Sequence, residues 1–127
     1  MNTDRDMFDV VSERVIGAAF RVSNALGVGF LEKVYENALA HQLRQDRLAV
    51  AQQHGIAVRY DGVVVGEYAV DLLVERQVMV ELKVARATSD VHAAQCINYL
   101  RATGLPVCLL INFARPRLEI RRFRHGN

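Results

Sequence analysis

Three charged residues interrupt an almost entirely aliphatic stretch, VDLLVERQVMVELK, which runs from Val70 to Lys83. Asp71, Glu81 and Lys83 have little use in a buried strand, so their presence there points to chemistry. Carboxylate oxygens are good ligands for a hard divalent cation such as Mg²⁺, with Mn²⁺ as a substitute, and a nearby ammonium group can act on a water molecule or a phosphate. The backbone carbonyl of Leu82, beside Glu81, is a candidate third metal ligand.

A hairpin would bring these charges together. A three-residue loop at Glu75–Gln77 pairs Val74 with Val78 and places Asp71 opposite Glu81, with Cβ atoms about 4.5–5.5 Å apart. Two carboxylates about 5 Å apart repel by roughly 3 kcal/mol at an effective dielectric constant near 20, so a proton or a cation must neutralise them. A slip of one residue in this register would send the charges to opposite faces.

The alternative is an ion-paired exterior face on which Lys83 bridges the two carboxylates and no catalysis occurs. The pattern Asp-x9-Glu-x-Lys arises often by chance, so it leaves both interpretations open. Alternation along the strands predicts that the opposite face of the hairpin is entirely apolar and buried. The residues predicted on that face are Val70, Leu72, Val74, Val78, Val80, Leu82 and Val84.

Two predicted helices carry further polar clusters. Glu32 and Tyr35 lie on one helical face behind Gly29, and a polar stripe on a later helix consists of His92, Gln95 and Tyr99. Each cluster also has an ordinary structural explanation, because a glutamate suits a helix start, a tyrosine suits the core and an amphipathic helix exposes polar residues.

The helices that would position these residues are predicted from apolar spacing and end signals. The first carries an apolar stripe from Phe8 to Leu26, begins near a capping box formed by Thr3 and Asp6, and ends in a left-handed cap at Gly27. The second is predicted from about Leu31 to about Arg47. The third is opened by Thr88 or Ser89 and closed by Gly104, with Pro106 preventing its continuation.

The strands are predicted from valine-rich runs and turn signals. Asp61-Gly62 predicts a tight hairpin turn, VCLLINF a buried strand and RLEIRRF an edge strand. The element order is therefore α-α-β-β-β-α-β-β. This order predicts an α/β (α+β) fold in which a mixed sheet is flanked by helices.

Composition narrows the classes of protein. The chain of 127 residues is 51% hydrophobic with a net charge of +2, which fits one domain over residues 1–127, and a domain this small is compatible with a homodimer. An acidic, polar start and the absence of a long apolar run predict a cytoplasmic protein without a membrane span. A basic run near the end fits either a solvated edge or a surface that faces nucleic acid; its arginines include Arg115, Arg117, Arg121 and Arg122.

Taken together, the motifs resemble a known family. LGVGFLEKVYENAL resembles the motif that gives the GxxExxY family its name, and GEYAVDLLVERQVMVELK, AAQCINYLRATG and LLINF resemble the rest of that family. The GxxExxY family is placed in the PD-(D/E)XK nuclease superfamily, and the resemblance runs from about Phe8 to about Phe123. Two departures, Val28 for a common proline and Ser23 for a common histidine, affect the first helix and the loop after it.

The resemblance implies a restriction-endonuclease-like core and a metal-dependent nuclease. It implies that Asp71 and Glu81 hold Mg²⁺, that Lys83 assists the attacking water and that Glu32 completes the acidic site. Gln95 and Tyr99 match residues of the helix that lines such sites. The predicted activity is Mg²⁺-dependent hydrolysis of phosphodiester bonds, with DNA as the favoured substrate. The predicted (endo)nuclease recognises the structure or the ends of the nucleic acid and not a specific base sequence. The alternative is a silent nuclease-fold protein that binds nucleic acid or a protein partner.

Overall fold

The computed structural model describes residues 6–126, in which three helices and five strands follow the predicted order. The elements are α1 (Met7–Leu26), α2 (Glu32–Gln45), β1 (Val50–Tyr60), β2 (Val63–Val74), β3 (Val78–Lys83), α3 (Asp90–Thr103), β4 (Val107–Asn112) and β5 (Glu119–Arg124). The predicted fold class is confirmed, since the five strands form one mixed sheet with helices on both faces.

The sheet follows chain order, β1-β2-β3-β4-β5, so β5 is an edge strand as predicted. The first three strands pair antiparallel, β3 pairs parallel with β4, and β4 pairs antiparallel with β5. A parallel pair needs a long crossover connection, and α3 provides it between β3 and β4. The hairpin strands β1 and β2 are the longest in the sheet, with 11 and 12 residues.

Both predicted hairpin turns are present. Asp61 and Gly62 have φ values of 52° and 77°, as a two-residue turn with two left-handed positions requires. The loop after β2 pairs Val74 with Val78 and Leu72 with Val80, which is the register predicted from a three-residue loop. The register of the charged hairpin therefore follows from its loop length.

Two apolar layers hold the helices to the sheet. On one face α1 and α2 pack over Leu72, Val80 and Leu82, and on the other face α3 packs over Leu73 and Met79. Because both faces of the sheet are covered, nearly every residue of β3 and β4 is buried, including Glu81.

The prediction of one continuous apolar face is wrong at two positions. Val70 is buried but belongs to the layer under α3, because regular pairing between β1 and β2 is interrupted at Gln53 and Asp71 and the alternation changes there. Val84 is 36% exposed, since β3 ends one residue earlier, at Lys83.

The helix ends follow the predicted signals only in part. Ser89 caps α3 and Gly104 ends it in the left-handed region, whereas Gly27 combines φ 72° with ψ −161° and lies outside the predicted left-handed helical region. Asp6 is the N-cap of α1 without a side-chain cap bond, and Thr3 lies outside the described residues. None of the helices described within residues 6–126 is long and apolar enough to span a membrane.

Candidate active site

The two carboxylates of the charged hairpin replace the main-chain ladder where β2 and β3 separate. Regular pairing ends at Leu72 and Val80. Beyond it, the Asp71 backbone N–H donates to Glu81 Oε1 at 3.0 Å, and the Leu82 backbone N–H donates to Asp71 Oδ2 at 2.8 Å. Each acidic side chain thus lies against the backbone of the other strand, so both carboxylates occupy the same gap.

Lys83 completes the predicted trio. Its Nζ atom lies 3.9 Å from Glu81 Oε2, at the limit of an ion pair. Glu81 is only 4% exposed, whereas the lysine side chain is partly open to solvent. The ammonium group therefore flanks the acidic pair and leaves much of its negative charge uncompensated.

Burial, and to a smaller extent neighbouring negative charge, raises the pKa values of this group of carboxyls. Burial raises the pKa of Glu81 to about 7, and the charge of Asp71 adds to this effect, while the Asp71 N–H and Lys83 oppose it. Burial also raises the pKa of Asp71, against hydrogen bonds from the Leu82 N–H and the Gln53 side chain. Both pKa values are therefore raised mainly because the two carboxyls are removed from water, with a smaller effect of neighbouring negative charge.

Glu32, the first residue of α2, adjoins the same group. Burial raises its pKa, and the next largest influence is the charge of Asp71, which raises it further, whereas Lys83 and the Val84 backbone N–H lower it. The structure therefore brings Glu32, Asp71, Glu81 and Lys83 together, as the sequence predicted. Their catalytic roles stay predictions.

Two site residues were missed by the sequence reasoning. Glu36 is buried on α2, and the Gln53 side-chain amide donates to Glu36 Oε1 at 2.8 Å and to Asp71 Oδ1 at 3.1 Å. Gln53 has φ 53°, which a residue other than glycine adopts only at a cost, and it is skipped in the β1–β2 pairing. Glu36 was detectable, since it lies four residues after Glu32 on the same helical face.

The Gly29, Glu32 and Tyr35 pattern has a structural explanation. Gly29 has φ 106°, a conformation that favours glycine. The Tyr35 hydroxyl donates to the Gly27 carbonyl at 2.6 Å and accepts from the Phe30 N–H at 3.3 Å. Tyr35 is therefore a core residue that anchors the loop, and the loop in turn positions the start of α2 and its glutamate.

The polar stripe of α3 divides into a cap and a site-lining pair. His92 Nδ1 accepts from the Ser89 N–H and completes a capping box, so its role in the structure is local. Gln95 Nε2 donates to the Tyr99 hydroxyl at 2.9 Å. Burial, followed by the charge of Glu81, raises the pKa of Tyr99 to about 12. The phenol of Tyr99 is therefore neutral near pH 7, and it lies close enough to Glu81 to be influenced by its charge.

The predicted basic surface is divided between two parts of the molecule. Arg115 and Arg117 are exposed in the loop after β4, at the end of the sheet where Lys83 pairs with Asn112. Arg122, by contrast, forms an ion pair with Asp9 on α1. The neighbouring Arg121 lies over the ring of Phe123 on the α3 side of the sheet. Only the loop arginines are brought to the end of the sheet that carries the lysine.

The donors present fit a hard divalent cation. Asp71 and Glu81 supply carboxylate oxygens in one gap, and a doubly charged ion would offset the cost of burying their negative charge, the main cause of their raised pKa values. Within residues 6–126, no three Asp, Glu, His or Cys side chains form a ready metal cluster. A Mg²⁺ ion would therefore rely on two carboxylates, a backbone carbonyl and water, a ligand set that suits this ion.

Comparison with known proteins decides the family. A family model described as the PD-(D/E)XK nuclease superfamily matches residues 9–123. The chain belongs to the PD-(D/E)XK nuclease superfamily. Nucleases of this superfamily generally use divalent metal ions. Narrower membership of the GxxExxY family stays a resemblance.

Two solved structures share the PD-(D/E)XK fold with this chain. An alkaline exonuclease (LHK-Exo) from Laribacter hongkongensis matches with a TM-score of 0.52 and 12% identity, over 85% of this chain and 76% of that one. SSO0001 matches with a TM-score of 0.53 and 13% identity over 75% of this chain, and the match spans half, 50%, of the SSO0001 chain. No curated protein matches the sequence. At these identities the likeness concerns the fold.

Proposed function

We propose that this PD-(D/E)XK protein is a Mg²⁺-dependent nuclease that hydrolyses phosphodiester bonds of DNA. The observation that carries the proposal is the gap between β2 and β3, where Asp71 and Glu81 exchange side-chain to main-chain hydrogen bonds and Lys83 flanks them. A structural ion-paired face would be expected at the surface, whereas Glu81 is buried and only partly neutralised.

In the proposed mechanism each residue has a separate task. Asp71, Glu81 and the Leu82 carbonyl hold the cation, which when bound supplies an acidified water and positive charge at the phosphate. Lys83 orients the attacking water and stabilises the negative charge that develops on the phosphoryl oxygens. Glu32 completes the acidic site from α2.

Gln95 and Tyr99 have a positioning role in this proposal. The hydrogen bond between them fixes the phenol beside the acidic group. A neutral phenol can donate to a phosphate oxygen without adding negative charge to the site. Arg115 and Arg117 hold backbone phosphates at the end of the sheet, whereas Arg121 and Arg122 lie on opposite faces of β5 and are not part of this contact. A homodimer and a cytoplasmic location stay predictions.

A second candidate function is supported by two observations. Both acidic side chains already accept backbone hydrogen bonds, and among residues 6–126 no three Asp, Glu, His or Cys side chains are arranged to hold a metal ion. Such a site is also compatible with a nuclease-fold protein that binds nucleic acid, or a protein partner, and cuts nothing.

A cleavage assay separates the two candidates. Purified protein is incubated with single-stranded, duplex and branched DNA and with RNA, in the presence of Mg²⁺, Mn²⁺ or a chelator. We expect cleavage that requires the metal and is lost in Glu81→Gln and Lys83→Ala, but retained in the control Glu67→Gln, whose side chain is exposed on β2. Cleavage that survives both site substitutions would contradict the proposal, and binding without cleavage would favour the second candidate.

A further inference from the structure

A groove separates the β1–β2 hairpin from α3. Its volume is about 820 Å³, and its polar lining residues are Arg59, Tyr68, Gln95, Asn98, Tyr99 and Arg101. Of the described residues that line it, none is acidic, in a chain that contains 14 aspartates and glutamates. The groove thus combines apolar walls with two arginines and no acidic side chain, on a protein of nearly balanced charge.

One wall of the groove is continuous with the candidate active site. Gln95 and Tyr99 line the groove and are hydrogen-bonded to each other. Tyr99 also packs in the same apolar layer as Met79, which lies two residues before Glu81 on the same side of β3. Tyr99 is therefore shared by the groove lining and by the surroundings of Glu81.

Tyr68 presents an aromatic surface inside this groove. Its side chain is 54% exposed, and its ring centroid lies 6.1 Å from that of Tyr99, with the planes tilted by 55°. A Cβ atom added at Gly66 would lie 3.6 Å from the Tyr68 ring, so the ring lies along the strand over a residue without a side chain. Both contacts hold the ring in place while leaving part of it open to a ligand.

We propose that this groove binds a single-stranded segment of nucleic acid and leads it to the active site. This proposal rests on the proposed nuclease function. An unpaired base stacks on Tyr68, and Arg59 and Arg101 contact the backbone phosphates. Aromatic stacking combined with positive charge is the way proteins hold single strands. In a duplex the base faces are already stacked on one another, so a tyrosine fixed at this angle has no free base face to contact.

The test measures binding in chelator, where a metal-dependent cleavage cannot occur. Short labelled single-stranded DNA, single-stranded RNA and duplex DNA of one sequence are titrated with protein, and fluorescence anisotropy gives Kd. We expect Tyr68→Ala to weaken single-strand binding by about tenfold, because base–aromatic stacking is worth that much, and Tyr68→Phe to retain it. Tyr60→Ala is the matched control, since Tyr60 is 75% exposed on the same hairpin outside the groove lining.

Salt dependence tests the two arginines. Each phosphate contact on a single strand contributes about 0.7 to the slope of log K against log salt. We expect Arg59→Ala and Arg101→Ala each to reduce the slope by about this amount. Arg47→Ala, which removes an exposed charge elsewhere on the chain, is the control and should keep the slope of the wild-type protein. Circular dichroism melting confirms that each variant is folded.

The outcomes separate this proposal from the nuclease function. Equal binding by Tyr68→Ala and Tyr60→Ala, or duplex binding with the same dependence on Tyr68, would overturn it. A shift of Tyr68→Ala from dimer to monomer in sedimentation would assign the groove to a second copy and overturn it too. Tyr68-dependent binding without cleavage leaves the groove and removes the nuclease. Metal-dependent cleavage that is lost in Glu81→Gln but unchanged in Tyr68→Ala would support the nuclease function and overturn the proposed role of the groove.

Discussion

Asp71 and Glu81 are joined by a hydrogen bond in which the Asp71 backbone N–H donates to Glu81 Oε1 at 3.0 Å. The bond takes the place of a ladder bond at the point where regular pairing of β2 and β3 ends. A strand pair that separates in this way exposes backbone groups, and the two carboxylates satisfy them. The same residues thus end the ladder and form the acidic site, which links the stability of the fold to the charge of the site.

The first prediction is that Glu81→Gln stabilises the metal-free protein at high pH. The folded-state pKa of Glu81, about 7, lies above its ordinary value of 4.5, so the folded protein binds the extra proton between these values and its stability falls as pH rises. The difference between these two pKa values corresponds to an upper bound of about 3 kcal/mol on the gain in the free energy of unfolding. Urea unfolding in chelator should show this gain at about pH 8 and little gain at about pH 4. Glu67→Gln, the exposed control, should show none, and a pH-independent difference would contradict the explanation.

The second prediction concerns metal binding without reference to activity. Mg²⁺ should raise the melting temperature of the wild-type protein, because a ligand at ten times its Kd stabilises the folded state by about 1.4 kcal/mol, or roughly 5 °C for a chain of this size. The increase should shrink as pH falls below about 7, where Glu81 takes up a proton. Asp71→Asn should abolish it, while Glu67→Gln should retain it. An equal increase in Asp71→Asn would place the metal elsewhere.

The parts of the site that the sequence predicted depend on short-range geometry. Asp71 and Glu81 belong to one hairpin, and a three-residue loop with period-two alternation fixes which residues face each other. Glu32 needed the family resemblance, because its approach to Asp71 depends on how α2 packs against the sheet. Gln53 was not predictable, since nothing in a glutamine residue indicates a φ of 53° in a strand.

The basic run shows why other parts of the site could not be predicted from the sequence, because residues that are neighbours in sequence are separated in the structure. On an edge strand successive side chains point to opposite faces, so Arg121 and Arg122 cannot form one surface. Arg122 and Arg124 contact Asp9, and the Arg124 pair joins residues 115 positions apart. Alternation could have predicted the division between faces, but the ion-pair partner on α1 could not be inferred from local pattern.

The third prediction is that the Tyr35 hydroxyl stabilises the loop that positions Glu32. Tyr35→Phe removes the hydrogen bond to the Gly27 carbonyl and the one from the Phe30 N–H, with little change in packing. We expect a loss of about 1–2 kcal/mol in the free energy of unfolding, measured in urea. The exposed Tyr60→Phe is the control and should change stability by less than about 0.5 kcal/mol. Equal stability of the two variants would show that the loop does not depend on the hydroxyl.

The fourth prediction separates the backbone and side-chain roles of Gln53. Gln53→Gly relieves the left-handed conformation at φ 53°, so it should be about 1 kcal/mol more stable than Gln53→Ala in urea unfolding. Both variants lose the hydrogen bond that lowers the pKa of Asp71, so the pH at which Mg²⁺ begins to raise the melting temperature should move upward in both. Gln52→Ala is the control, because its side chain bonds to Glu36 and Asn37 but not to Asp71. A shift in Gln52→Ala equal to that in Gln53→Ala would assign the effect to Glu36 and not to the aspartate.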